Sequence, residues 1–166
     1  MDLYLLRHGE AGKSMPGSSK DAKRTLTQDG RAEVEAVGKA IRMLDLGLDL
    51  LASSPLSRAF DTAAIVGRQI RLKGQVEVWD ELKPEGERRT LYARLGRLRP
   101  DSSVMIVGHE PYLGNVVGDI IGGHARVNLK KAGLVRVRVS SVLPSPKGEL
   151  RWLLNPRVLK ALAQTS

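Results

Sequence analysis

Apolar residues fall in short runs separated by longer amphipathic stretches, the pattern of buried strands alternating with helices. Leu3-Tyr4-Leu5-Leu6 is the first run and Val104-Met105-Ile106-Val107 the clearest; Leu48 to Ala52 is another, and Val76-Glu77-Val78 a short fourth. Between the first two strands in chain order, Val34, Val37, Ile41 and Leu44 recur at helical spacing against Arg31, Glu35, Lys39 and Arg42. That spacing predicts a helix over 28–44, with Thr27 as its N-cap and Asp29 in its first turn. Ser54, followed by Pro55, reads as the cap of a second helix carrying Phe60, Ala63, Gly67 and Ile70 on one side, with Arg58 in the first turn.

Leu91, Leu95 and Leu98 mark a third helix, whose Arg94, Arg97 and Arg99 read as solvated. Leu113 to Ile121 predicts a fourth, stopped by Gly122-Gly123. Leu134 to Val139 alternates apolar residues with Arg136 and Arg138, a strand with one wet face. It would pair with Leu150 to Leu154 across the Pro144 to Gly148 turn, before a last short helix over 158–162. Ser14 to Lys23, Trp79 to Glu87 and Lys130-Lys131 read as loops or turns at the surface. The pattern therefore predicts an α/β fold: a three-layer α/β/α sandwich on a mixed, mainly parallel sheet, in a single domain over 1–166.

Composition narrows the function. With no cysteine, the chain has neither a disulfide framework nor a thiol nucleophile. No apolar stretch approaches the roughly 20 residues of a membrane span, and the N-terminus lacks the form of a signal peptide, so a cytoplasmic protein is expected. A net charge of +9 favours anionic partners. Nucleic acid is disfavoured, since only 4% of residues are aromatic and a base-stacking platform is hard to build.

The candidate chemistry sits where strands end, the place where open α/β sheets bind ligands. Arg7-His8-Gly9 follows the first strand, Ser53-Ser54-Pro55-Leu56-Ser57-Arg58 the second, and Gly108-His109-Glu110-Pro111 the later one. Arginine offers a planar fork of donors to phosphate oxygens, and imidazole can act as a covalent nucleophile. Two of each, with helix N-terminal amides, suffice for attack at phosphorus without a metal or cofactor. Taken singly, each has a bland alternative: a strand-end histidine caps backbone groups and a helix arginine pairs at the surface. His124 reads as a surface residue. Histidine spacing gives no metal-ligand motif.

Those three motifs, in that order, resemble the histidine phosphatase superfamily, the phosphoglycerate mutase-like group. Arg24-Thr25-Leu26-Thr27-x-x-Gly30, Asp80-Glu81-Leu82-x-Pro84, Val107-Gly108-His109-x-Pro111 and Asn155-Pro156 look like its SixA-type phosphohistidine phosphatase branch. The resemblance implies that His8 becomes phosphorylated while Arg7, Arg58 and His109 surround the phosphoryl group, before water releases phosphate. Gly9, Arg24 and the backbone at Glu110 would contact substrate, and Glu81 is the candidate general acid, though its Glu-Leu-x-Pro turn also fits a structural role. A phosphohistidine leaving group depends less on an acid than an alkoxide does, because imidazole has a pKa of about 6.5. The expected substrate is a phosphorylated protein, with a small phosphomonoester as the second reading and a basic module that binds phospho-ligands or nucleic acid as the third. A monomer without metal, cofactor or membrane attachment is expected.

Overall fold

A computed structural model describes residues 1–13, 18–123 and 126–165, with side chains omitted at 18 and 19. The expected loop residues 14–17 and the expected surface residue His124 lie outside the described residues. The strands are β1 (Asp2–Arg7), β2 (Leu50–Ser53), β3 (Glu77–Val78), β4 (Ser103–Gly108), β5 (Leu134–Ser141) and β6 (Lys147–Leu154). The helices are α1 (Ser18–Ala22), α2 (Gln28–Met43), α3 (Ser57–Gln69), α4 (Arg88–Leu95), α5 (Tyr112–Ile121) and α6 (Pro156–Leu162).

The strands form one sheet in the order β3-β2-β4-β1-β5-β6. The first four are mutually parallel, and β5 runs antiparallel to both β1 and β6. Parallel strands buried on both faces read as unbroken apolar runs, which explains β1 and β4. Within them, side chains still alternate between two cores. Leu3, Leu5, Val104 and Ile106 join Leu91, Leu95, Leu113 and Val117 of α4 and α5. Tyr4, Leu6, Met105 and Val107 join Val37, Ile41, Val66 and Leu159 of α2, α3 and α6. The result is the expected α/β/α sandwich with its mixed sheet.

Several local expectations need correction. The reading of Ser14 to Lys23 as loop missed α1. Helix α3 starts later than expected: Leu56 is its N-cap with no side-chain cap bond, and Ser54 has another use. Of the residues expected along one side of that helix, Ala63 is buried but Phe60 is 39% exposed, and Ala59 and Val66 fill the core beside Ala63. The Trp79 to Glu87 stretch contains a 3-10 turn, Asp80–Leu82, and buries Trp79 and Leu82 completely. Polar flanks disguised these two residues as loop. The first turn of α2 is as expected, with Thr27 Oγ1 accepting the Gly30 amide at 3.0 Å.

Two glycines let α2 press on the loop after β1. A Cβ on Gly30 would lie 2.1 Å from the Glu10 carbonyl oxygen, and one on Gly9 would lie 2.5 Å from Val34 Cγ2. Larger residues would push the helix away from the end of β1. Helix packing thus fixes the backbone beside His8.

Candidate active site

Parallel pairing brings the three strand ends together. The His8 amide donates to the Gly108 carbonyl at 3.0 Å, and the Ser54 amide to the Val107 carbonyl at 3.0 Å. His8 and His109, which follow β1 and β4, are both buried, with ring centroids 5.0 Å apart. Arg58 enters from the first turn of α3 and is only 4% exposed.

The hydrogen bonds assign His8 a tautomer. Nδ1 lies 2.7 Å from the Gly9 carbonyl oxygen, which can only accept, so Nδ1 carries the proton. Nε2 then keeps its lone pair and receives the Arg58 Nε–H at 3.3 Å. Thr62 Oγ1 accepts the Gly9 amide at 3.1 Å while donating to the Arg58 carbonyl at 2.7 Å. That buried hydroxyl joins the nucleophile loop to the arginine helix.

His109 Nε2 lies 2.9 Å from Ser54 Oγ, and Ser54 Oγ also accepts the Leu56 amide at 3.3 Å. Its Nδ1 is a buried nitrogen without a partner among the described residues. A phosphoryl oxygen would satisfy it.

Burial is the leading cause of a lowered pKa in both histidines. It carries His8 down to about 4, opposed by the bond to Gly9 and aided by the charges of Arg58, Arg7 and Arg24. His109 is lowered further, by burial and then by His8 and the same guanidiniums. Both rings are neutral at pH 7. Neutral Nε2 is the form that can attack, and the surrounding positive charge suits a dianionic phosphoryl group.

Asp21 holds the outer edge of Arg58. Its carbonyl accepts Nη1 at 2.9 Å and its Oδ2 pairs with Nη2 at 3.1 Å. The other carboxylate oxygen pairs with Arg24 Nη2 at 3.1 Å, and Arg24 Nη1 donates to the Gly12 carbonyl at 2.9 Å. Arg24 therefore reaches the rim of the cluster. Arg7 stands on the opposite side, half-buried, with Nη1 on the Leu129 carbonyl at 2.7 Å.

Glu110, expected to act through its backbone, uses its carboxylate: Oε1 accepts the Leu129 amide at 3.1 Å. Arg7 and Glu110 thus grip the same peptide residue. Glu81 is buried and ion-paired with Arg94 Nε, whose guanidinium also stacks 4.8 Å from the Trp79 ring. Arg94 was expected to be merely solvated; the buried carboxylate across from α4 gives it a partner. Asp21, Ser54 and Thr62 escaped the sequence reading in these roles. Ser54 and Thr62 follow β2 in the motif region, but only the fold shows what their hydroxyls meet. Among the described residues, no three His, Asp or Glu side chains gather as a metal-ligand cluster.

A neutral imidazole with an unprotonated Nε2, guanidiniums beside it and a second imidazole across from it are the equipment of phosphoryl transfer through a histidine. Comparison with known proteins agrees. Residues 3–85 match the family model described as histidine phosphatase superfamily (branch 1). An uncharacterized protein of Picosynechococcus sp. is 32% identical over 165 residues, covering 96% of this chain and 99% of that one. A phosphohistidine phosphatase SixA homolog of Haemophilus influenzae is 25% identical over 146 residues, covering 82% and 87%. The solved structure of the protein histidine phosphatase SixA complexed with tungstate superposes with a TM-score of 0.85 at 25% identity, covering 96% of this chain and 100% of that one. The chain belongs to the histidine phosphatase superfamily and has the phosphoglycerate mutase-like α/β fold.

Proposed function

We propose that this phosphatase removes phosphoryl groups from phosphohistidine in proteins, through a phosphohistidine of its own. His8 Nε2 attacks phosphorus in line with the leaving nitrogen. The new N–P bond forms as the substrate's N–P bond breaks, and its electron pair returns to the leaving imidazole. Phosphorylated His8 becomes cationic, and its Nδ1–H keeps its bond to the Gly9 carbonyl, which stabilises that charge. Arg58, Arg7 and the Nδ1–H of His109 take the equatorial oxygens; Arg24 closes the rim. Each donor of this kind is worth about 3 kcal/mol in the transition state. Water then attacks phosphorus, the N–P bond to His8 breaks, and inorganic phosphate leaves.

The observation that carries the substrate class is the engagement of Glu81 by Arg94. An alkoxide leaving group needs a proton donor, and the carboxylate of the candidate acid is held by Arg94 Nε. An imidazole whose other nitrogen is protonated leaves as a neutral molecule. The SixA names of the relatives point the same way. The test compares wild type and His8→Ala on a histidine-phosphorylated protein and on an aryl phosphate. Turnover of phosphohistidine far above that of the ester, absent in His8→Ala, is expected. Efficient ester hydrolysis would move the assignment to small phosphomonoesters.

A further inference from the structure

Two clefts meet at Arg7. One, of about 680 Å³, is lined by Pro111, Asn115, Arg126 and Asn128 besides Arg7. The other, of about 510 Å³, is lined by Lys130, Lys131, Asn155 and Arg157. Each is large enough for a substantial group in its own right. A small phosphate ester held at His8 would leave both open.

Most of their charged side chains are basic. Arg126, Lys130 and Arg157 are exposed and have no ion-pair partner among the described residues. Asn115, Asn128 and Asn155 are exposed beside them and add amides that can pair with carboxylates or with extended backbone. The carboxylates nearby are committed: Glu10 to Lys131 at 2.6 Å, and Glu110, which lines the larger cleft, to the Leu129 amide. Neither lining contains an aromatic ring, so bases of a nucleic acid would have nothing to stack on.

We propose that the two basic clefts meeting at Arg7 bind acidic residues of a phosphoprotein substrate on both sides of its phosphorylated residue. This rests on the protein-phosphohistidine reading above and adds the surface that selects the partner. Arg7 would touch the phosphoryl group, and the chain of the partner would run outward from it in both directions, its carboxylates facing Arg126 on one arm and Lys130 and Arg157 on the other.

The probes are two histidine-phosphorylated nonapeptides, one with glutamates and one with glutamines around the phosphohistidine, together with free phosphohistidine. Wild type is expected to favour the acidic peptide about tenfold in kcat/KM, mostly through KM, with the preference shrinking as salt rises. The triple variant Arg126→Glu, Lys130→Glu, Arg157→Glu should lose or reverse that preference while turning over free phosphohistidine as wild type does. If the triple variant is unfolded, Arg126→Gln, Lys130→Gln and Arg157→Gln, made singly, should each give part of the same loss. Equal use of both peptides by wild type would overturn the proposal and leave the phosphohistidine reading standing. An oligonucleotide that inhibits peptide turnover better than polyglutamate would overturn it in favour of a nucleic-acid surface. Turnover of an aryl phosphate but of no phosphohistidine probe would bring down both readings, a signature distinct from the others.

Discussion

Arg58 and Arg7 stand on opposite sides of the same histidines in contrasting surroundings. Arg58 is buried on a helix, with Nε on His8 and both terminal nitrogens held by Asp21. Arg7 is half-buried at the end of a strand, with one terminal nitrogen on a loop carbonyl and two clefts beside it. On the Arg58 side the guanidinium is held at all three nitrogens, which suits electrostatic stabilisation without reorganisation. On the Arg7 side the groups are spaced and solvated, which suits a partner of variable shape. The contrast separates a wall for chemistry from a wall for recognition.

The largest effect should come from the group between them. His8→Ala should lower kcat by at least about 10⁴-fold, with a far-UV spectrum and melting temperature near those of wild type, since no other described group presents a lone pair there. Next come the arginines. Arg58→Lys exchanges a fork clasped at three points for a point charge and should cost about 10²-fold or more, chiefly in kcat. Arg7→Lys keeps a charge near the phosphoryl group and should cost about tenfold in kcat, with a further rise in KM for a protein substrate. Steady-state kinetics on both variants decides it: equal losses in the same parameter would erase the distinction between the walls.

Thr62 tests how the closed wall is tied together. Thr62→Val preserves shape but removes the acceptor for Gly9 and the donor to Arg58, leaving the Gly9 amide buried without a partner. It should cost about 1–3 kcal/mol in stability by denaturant melt. It should also lower kcat several-fold, because the Gly9 carbonyl that fixes the His8 tautomer is then held less firmly. Thr62→Ser keeps the hydroxyl and should recover most of the rate. A serine variant as slow as the valine one would mean that packing, not the hydrogen bonds, matters.

The two walls also differed in how well the sequence announced them. Strand runs ending in Arg7-His8, Ser54 and Gly108-His109 fixed the meeting point, because parallel pairing must align those ends and only a few residue types can do chemistry there. Thr27 was legible as a cap because its partner is three residues away. Asp21, Ser54 and Thr62 were not, since their partners lie 37, 55 and 53 residues away. Phe60 misled because an apolar type was read without knowing which way its helix faced. The clefts at Arg7 combine loop residues near 128 with the start of α6, and no local pattern relates those segments.

Burial of the closed wall makes a last, quieter prediction about pH. Because His8 titrates near 4 rather than 6.5, its neutral form is already dominant by pH 5.5. After correction for the ionisation of the substrate, kcat/KM should stay flat from pH 5.5 to 7.5, and a protonation step near 6.5 would mean that solvent reaches Nε2 in the working enzyme. Stability should respond in the same range. The unfolded chain accepts protons on both histidines near pH 6.5, whereas the folded chain resists until about pH 4 at His8 and lower at His109. Unfolding is therefore favoured as pH falls: the stability contribution is full above about pH 6.5 and is lost progressively toward pH 4. Melts of wild type and His109→Gln between pH 4 and 7 should differ in slope, with the variant flatter, because it has one buried imidazole fewer to protonate on unfolding.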